Sequence, residues 1–503
     1  MRLTNALSIF TAGANLAGSF DRSLSESPVM QQSDTRMPAI APPMIAAVES
    51  VGASRQLTPF RVNAQTAGNQ YHPAIASLSD GGYIITWHSP DNTASTGVFA
   101  QRFTASGDYN GPNFQVNTHT TLDQGNMTTA GFPNGQFIIV WHSQDQDGSN
   151  KGVYAQLYDA SAVRIGTEFQ VNSYTANDQM NPDVAVLPDG SFLITWESAL
   201  RSGSPPSIFA RRYHADGTAI GIEFQVSPMD NGLYTLPKAT AFPDGGFAIA
   251  WQTLPDNGQI EIAMMAQYYD PAGSKQGDAV VFEKLKEASS LDTVPDTIPL
   301  SLTMLPTKES VIALSTLVDT RFELHAQRYN QDGTKQVDNH VIVDKPSGSD
   351  FIYVPVSSGS SVYPDGRYVL VYVAQSSMLN DQGVLMRTYL KAQRYNADGT
   401  VWGRLITIYT DQYQLDLENP TAEAGRLVEI MLNTVQALSN GGFVVSWTHT
   451  QQGSQDVIAR HFTEEGEALT ITYTPDASVV SGATDIAVIT QLAVLAMLVR
   501  EAV

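Results

Sequence analysis

The sequence predicts an all-β chain: a seven-bladed β-propeller of four-stranded antiparallel blades, with an N-terminal extended arm and a C-terminal apolar helix. Three observations carry that expectation. A short apolar run ending in tryptophan recurs at a fixed interval: Trp87, Trp141, Trp196 and Trp251 are 54, 55 and 55 residues apart (141−87, 196−141, 251−196). A period of this size, with several short strands per unit, marks a solenoid or a propeller. The segment Phe114-Gln-Val-Asn117 returns as Phe169-Gln-Val-Asn172 and Phe224-Gln-Val-Ser227. Ahead of each tryptophan run stands a turn such as Asp80-Gly-Gly, Asn134-Gly, Asp189-Gly or Asp244-Gly-Gly, which tolerates the positive φ of a tight hairpin.

Each unit reads as four short strands. The first follows a polar or proline turn, as in Pro73-Ala-Ile-Ala-Ser-Leu78, and the second is the run into tryptophan. The third is the type Val98-Phe-Ala-Gln-Arg-Phe103, repeated as Val153–Tyr158 and Ile208–Tyr213, and the fourth is Phe-Gln-Val-Asn. Later copies diverge but can be followed. Leu314 and Tyr372 stand where the fifth and sixth tryptophans would be, and Trp447 restores the pattern in the seventh. An open stack of small β modules is the alternative; seven copies favour a closed ring, which hides sheet edges. Fourth-strand candidates outnumber hairpins by one: Phe60-Arg-Val-Asn63 precedes the first hairpin and Leu469–Tyr473 follows the last. Closure by the N-terminal strand is the expected latch.

The organisation is therefore an arm or linker over 1–56, the ring over 57–473 and a tail over 474–503. The arm is rich in Pro, Met, Ser and Ala between Ser23 and Val48. Its start, Met1-Arg2 before a short broken apolar run, is a poor signal peptide. The tail holds the most apolar stretch, Ile486–Val499, shorter than the roughly 20 residues a membrane span needs. A helix packed on the ring, an interface with other subunits and a C-terminal secretion signal are its three readings, with a lean toward contact with a partner.

The Trp- and Asp-Gly-containing units resemble the tandem repeats of large secreted bacterial proteins, often of the hemolysin-type calcium-binding kind. The resemblance covers about residues 57–473. It implies a secreted or surface-associated protein. The nonapeptide Gly-Gly-x-Gly-x-Asp repeats of that group are absent, so their calcium chemistry does not carry over.

Composition narrows the function classes. Against 28 Lys plus Arg stand 50 Asp plus Glu, a formal charge of −22, which argues against binding nucleic acid phosphates. There is no cysteine, hence no disulfide, thiol catalysis or zinc–thiolate site. No nucleophile–base motif, phosphate loop or metalloprotease helix is present. The Ser-x-Asp-x-Gly-x-Thr-Trp boxes associated with sialidase propellers are absent as well.

Strand order places the loops joining fourth to first and second to third strands on one face, and these loops carry most of the carboxylates. The expected ligand-binding residues there are Asp123, Gln124, Asp178 and Gln179 from the first set, and His88, His142 and His449 just past their tryptophans. The histidines either converge on the channel or merely cap strand ends. Asp145 and Asp147, in Asp145-Gln-Asp-Gly148, are the metal candidates, with Ca²⁺ the ion that alternating oxygen donors ending in glycine suit. An ordinary polar turn is the competing reading. The tryptophans are expected to fill the wedges between blades. Together these features point to a non-enzymatic secreted or surface binding module that recognises glycan or another macromolecule on its loop face. A structural subunit of a surface assembly or virus-like particle, possible as a homo-oligomer through the C-terminal helix, is the alternative, with a glycan-cleaving propeller enzyme third. Paired glycosidase carboxylates are invisible in sequence.

Overall fold

A computed structural model describes residues 59–90, 95–199, 206–229, 232–254, 263–284, 297–318, 321–341, 352–380, 383–414, 434–451 and 454–468. They form seven four-stranded antiparallel sheets, the blades of a β-propeller. Blade 1 comprises Tyr71–Ser77, Tyr83–Pro90, Thr96–Phe103 and Phe114–Gln115, side by side in chain order. Blades 2 to 6 repeat that order. Blade 7 takes three strands from the end of the ring, Thr434–Ala437, Phe443–Gln451 and Ser454–Phe462, and its fourth from the beginning, Phe60–Arg61.

The N-terminal latch is thus the one in place. Phe60 pairs with Ala459 and Arg61 with Ile458. Val62 donates its N–H to Val457 O at 2.7 Å, and Val457 donates its own to Asn63 Oδ1 at 2.8 Å. The competing strand, Leu469–Tyr473, lies outside the described residues, as do the N-terminal arm and the expected C-terminal helix.

First strands of neighbouring blades lie against one another through blades 1 to 4 and from blade 5 through 7 back to 1, so they line the central axis. Second strands are sandwiched between blades. Tyr83–Pro90 and Phe192–Ser198 are buried at every position, which explains why the runs into tryptophan are mostly apolar rather than alternating. Fourth strands form the rim, where Ala219–Gln225 has no buried residue.

Two repeated devices hold a blade together. The residue opening the second strand stacks on the one closing the third: Phe137 on Tyr158 with centroids 4.9 Å apart, Phe247 on Tyr269 at 4.7 Å, Phe443 on Phe462 at 4.6 Å. The hairpin before the second strand turns on a residue at positive φ, Gly135 at 90° and Gly441 at 84°; in blade 5 Lys308 takes that place at 68°. Each tryptophan fills the wedge toward the preceding blade. Trp141 packs with Ile84, Val98 and Val116 of blade 1, and Trp447 with Val371, Val373 and Leu390 of blade 6.

Candidate active site at the axial mouth

The first strands of blades 1 to 4 each carry a β-bulge near their start, where the register slips between Tyr71 and Ala74, Gly125 and Thr128, Met180 and Asp183, and Thr235 and Lys238. The bulged residues are His72, Asn126, Asn181 and Leu236, and all four have positive φ: 54°, 46°, 51° and 54°. Pro73, Pro182 and Pro237 follow three of them and fix the next φ near −65°. A bulge re-aims side chains, and non-glycine residues at positive φ concentrate at functional sites. Here they form an arc of four consecutive blades at one end of the channel.

The ends of the second strands meet this arc. His88, His142 and Glu197 each directly follow their tryptophan and pair in register with Tyr71, Gly125 and Met180. The rings of Tyr71 and His72 lie 5.0 and 5.2 Å from that of His88. Gly125 lets the next ring in: a Cβ there would sit 2.8 Å from His142 Nε2 and 3.2 Å from His88 Cε1. His88 Nε2 and His142 Nδ1 are buried with no hydrogen-bond partner in the protein, an arrangement that calls for an explanation beyond packing. Burial, first of all, depresses their basicity. It lowers His72 to about 4 and His142 to about 3, and it takes His88 well below its usual value, with the neighbouring histidines adding to the effect. All three imidazoles are neutral at neutral pH.

Across the arc stands a carboxyl group. Glu197 is 3% exposed, and its Oε1 accepts hydrogen bonds from Asn181 Nδ2 at 2.8 Å, Thr235 Oγ1 at 2.6 Å and Leu236 N at 2.7 Å. Asn126 Nδ2 donates to Asn181 Oδ1 at 2.5 Å, so an amide chain spans blades 2 and 3. Burial raises the acid's pKa, and the three hydrogen bonds only partly offset it. One row deeper, Asp183 accepts from Thr128 Oγ1 at 3.2 Å and Ala239 N at 2.8 Å, and pairs with Lys238 at 3.1 Å. Amide, hydroxyl, imidazole and protonatable carboxyl groups thus lie along one arc of the inner strands, a set capable of general acid–base chemistry.

Of the residues expected from sequence, His88 and His142 belong to this cluster. His449 does not: its Nδ1 lies 3.3 Å from Tyr409 Oη of blade 6. Thr448 occupies the position matching His88, and its Oγ1 accepts the His72 N–H at 3.3 Å. Gln124 is fully buried. Its Oε1 accepts from Asn117 Nδ2 at 2.9 Å, and its amide donates to Thr121 and Leu122 carbonyls. Gln179 repeats this with Asn172 at 3.1 Å, so both glutamines lock the loop that enters a first strand. Asp123 Oδ1 accepts from the N–H and hydroxyl of Thr96, each at 2.9 Å. Asp178, partly buried, accepts the Ala199 N–H on its backbone carbonyl at 2.9 Å. Asp145 and Asp147 stand in a tight turn in which the Asp147 carboxylate accepts from Ser149 N at 3.1 Å and Gln170 Nε2 at 3.2 Å. Among the described residues no group of three or more His, Asp or Glu side chains is arranged to hold a metal ion.

His72, Asn126, Asn181 and Leu236 were not expected as site residues, and Glu197 was expected only as one of the carboxylates of the second-to-third-strand loops, not as a ligand residue. The bulged positions repeat at 54, 55 and 55 (126−72, 181−126, 236−181), in step with the tryptophans, and the His-Pro, Asn-Pro and Leu-Pro pairs were the available signal.

No protein-family model matches this sequence, and no curated protein matches it. Solved structures similar in fold include an ulvan lyase of polysaccharide lyase family PL25 bound to a GlcA(1-4)Rha3S fragment, at 10% identity and a TM-score of 0.46 over 82% of this chain and 97% of that one. A Fusarium graminearum α-L-arabinofuranosidase with an iminosugar inhibitor matches at 11% identity and a TM-score of 0.39, over 62% and 92%. A Penicillium chrysogenum α-L-arabinanase with arabinobiose matches at 14% and 0.32, over 56% and 92%. At these identities the likeness is one of fold. The expectation of a non-enzymatic binding module is corrected here: one arc of this ring holds a buried acid and three neutral histidines, and the structures of like fold include an ulvan lyase, an arabinofuranosidase and an arabinanase.

Proposed function

We infer that this protein is a glycan-cleaving propeller enzyme whose reacting bond sits at the axial mouth. The observation that carries the reading is Glu197, a buried carboxyl group with a raised pKa, set on the same arc as the neutral imidazoles of His88 and His142, each with one buried nitrogen that lacks a hydrogen-bond partner in the protein. Glu197 in its acid form donates its proton to the leaving glycosidic oxygen. A neutral histidine takes the proton from the attacking water, whose oxygen bonds to the anomeric carbon as the C–O bond breaks. Both groups then return to their starting states through solvent. The surrounding amides and hydroxyls, Asn126, Asn181, Thr235 and Thr128, suit the hydroxyl groups of a sugar chain. Hydrolysis fits better than elimination, because elimination needs a counter-charge for a uronate and Lys238 of this arc is already paired with Asp183. A polymeric glycan substrate supports a position outside the cell or at its surface.

The test is a panel of neutral and acidic polysaccharides assayed for new reducing ends, with ultraviolet absorbance reporting any unsaturated elimination product. Wild type is expected to release reducing ends without that absorbance, and Glu197→Gln to lose at least about 100-fold in rate. Absence of cleavage across the panel, or a fully active Gln variant, overturns the reading.

A further inference from the structure

We propose that Leu236 is a specificity-determining residue of this site, which receives the apolar C–H face of a pyranose unit bound beside Glu197. The inference rests on the glycan reading above and deepens it. Leu236 is 54% exposed at the channel mouth and holds a φ of 54°. A large aliphatic side chain gains nothing from exposure, and the left-handed region favours glycine, asparagine or aspartate over leucine. The sister blades show the cheaper solution: Asn126 and Asn181 occupy the equivalent bulge positions at 46° and 51°.

The structural duty of this position does not explain the leucine. Its backbone N–H donates to Glu197 Oε1 at 2.7 Å, a bond that any residue other than proline supplies. The side chain is therefore free of that task, on a residue whose backbone holds the acid proposed to protonate the leaving oxygen. The same arc is otherwise polar: Asn181 and Thr235 bond the carboxyl that the Leu236 N–H also bonds, and Lys238 pairs with Asp183. One apolar surface among hydrogen-bonding groups is what orients a sugar ring: hydroxyls turn toward the amides, and the C–H face turns toward blade 4. The ring covers the leucine and removes its apolar area from water.

The experiment compares Leu236→Asn, Leu236→Met and wild type in three measurements: melting temperature, cleavage of the best substrate from the polysaccharide panel, and binding of oligosaccharides from the same glycans by calorimetry. Leu236→Asn is expected to melt at the same temperature or higher, because it adopts the residue already used in blades 2 and 3. It is also expected to lose about tenfold in kcat/KM, mainly through KM, and in oligosaccharide affinity. Leu236→Met, which restores an apolar surface, is expected to recover most of both. If wild type binds oligosaccharides without cleaving any glycan, the enzymatic reading fails while the binding series still decides the role of Leu236. Equal affinity and activity in the Asn variant overturns the proposal, as does wild type that neither binds nor cleaves any glycan of the panel.

Discussion

Lowering the pH should destabilise this ring through its buried histidines, and His142 gives the clearest case. Its ring is buried beside His88 and holds its pKa at about 3 against an ordinary 6.5. A folded-state pKa below the unfolded value means that the neutral form is favoured by folding. The contribution is fully present above the unfolded pKa and is lost as pH falls below 6.5 toward 3. Between about pH 7.5 and about pH 5 the unfolded chain takes up nearly a full proton at this residue while the folded chain takes up almost none. With 1.36 kcal/mol per pKa unit, the loss over that interval is about 2 kcal/mol for this single group. Urea unfolding followed by tryptophan fluorescence, at several pH values, measures it. The plot of stability against pH for His142→Gln should be flatter than that of wild type by about 2 kcal/mol across the interval. Parallel curves would show that the imidazole is charged in the fold at little cost, and the neutral-base role argued for it would go with them.

Other consequences follow from the same geometry. Glu197 has a raised folded-state pKa, so its burial costs stability as pH rises above 4.5; Glu197→Gln should therefore gain on wild type in unfolding assays at neutral pH while losing activity. Trp141→Ala, which empties the wedge between blades 1 and 2, should cost about 3–5 kcal/mol by denaturant titration. Asn117→Ala leaves the buried N–H of Val98 without its acceptor at 2.9 Å and frees the Gln124 lock; a loss of about 1–3 kcal/mol is expected in the same assay. Lys308→Gly relieves positive φ but removes the 2.6 Å pair with Asp244, so its melting temperature should barely move, whereas Gly135→Ala, at a φ of 90°, should melt lower.

How much of this was legible varies from residue to residue. The tryptophan spacing announced the blades, because a buried second strand needs a wedge-filling side chain once per unit. His88 and His142 were visible as strand-end histidines. His449 looked equivalent, but one residue of offset put Thr448 in their place and turned His449 toward Tyr409. Gln124 and Gln179 looked like loop ligands since they are polar and sit among turn residues; burial and the seven-residue pairing to Asn117 and Asn172 give them another duty. Glu197 carried no local sign of a shifted pKa, because desolvation is a property of what surrounds a group and not of its neighbours in sequence.

By itself, the sequence determined the blade count, the strand order, the turns and the face that holds the loops. These are local consequences of period, side-chain volume and the φ that Asp-Gly and Asn-Gly tolerate. Only the tertiary structure decided which residues meet at the axis. Ring closure brings residues from separate blades side by side: His72 beside Thr448, Asn126 beside Asn181, and Glu197 against Leu236. Bulges in four inner strands then rotate those side chains into the mouth. A bulge shifts register by one residue without changing the repeat that contains it, so the period that reveals the fold conceals the site.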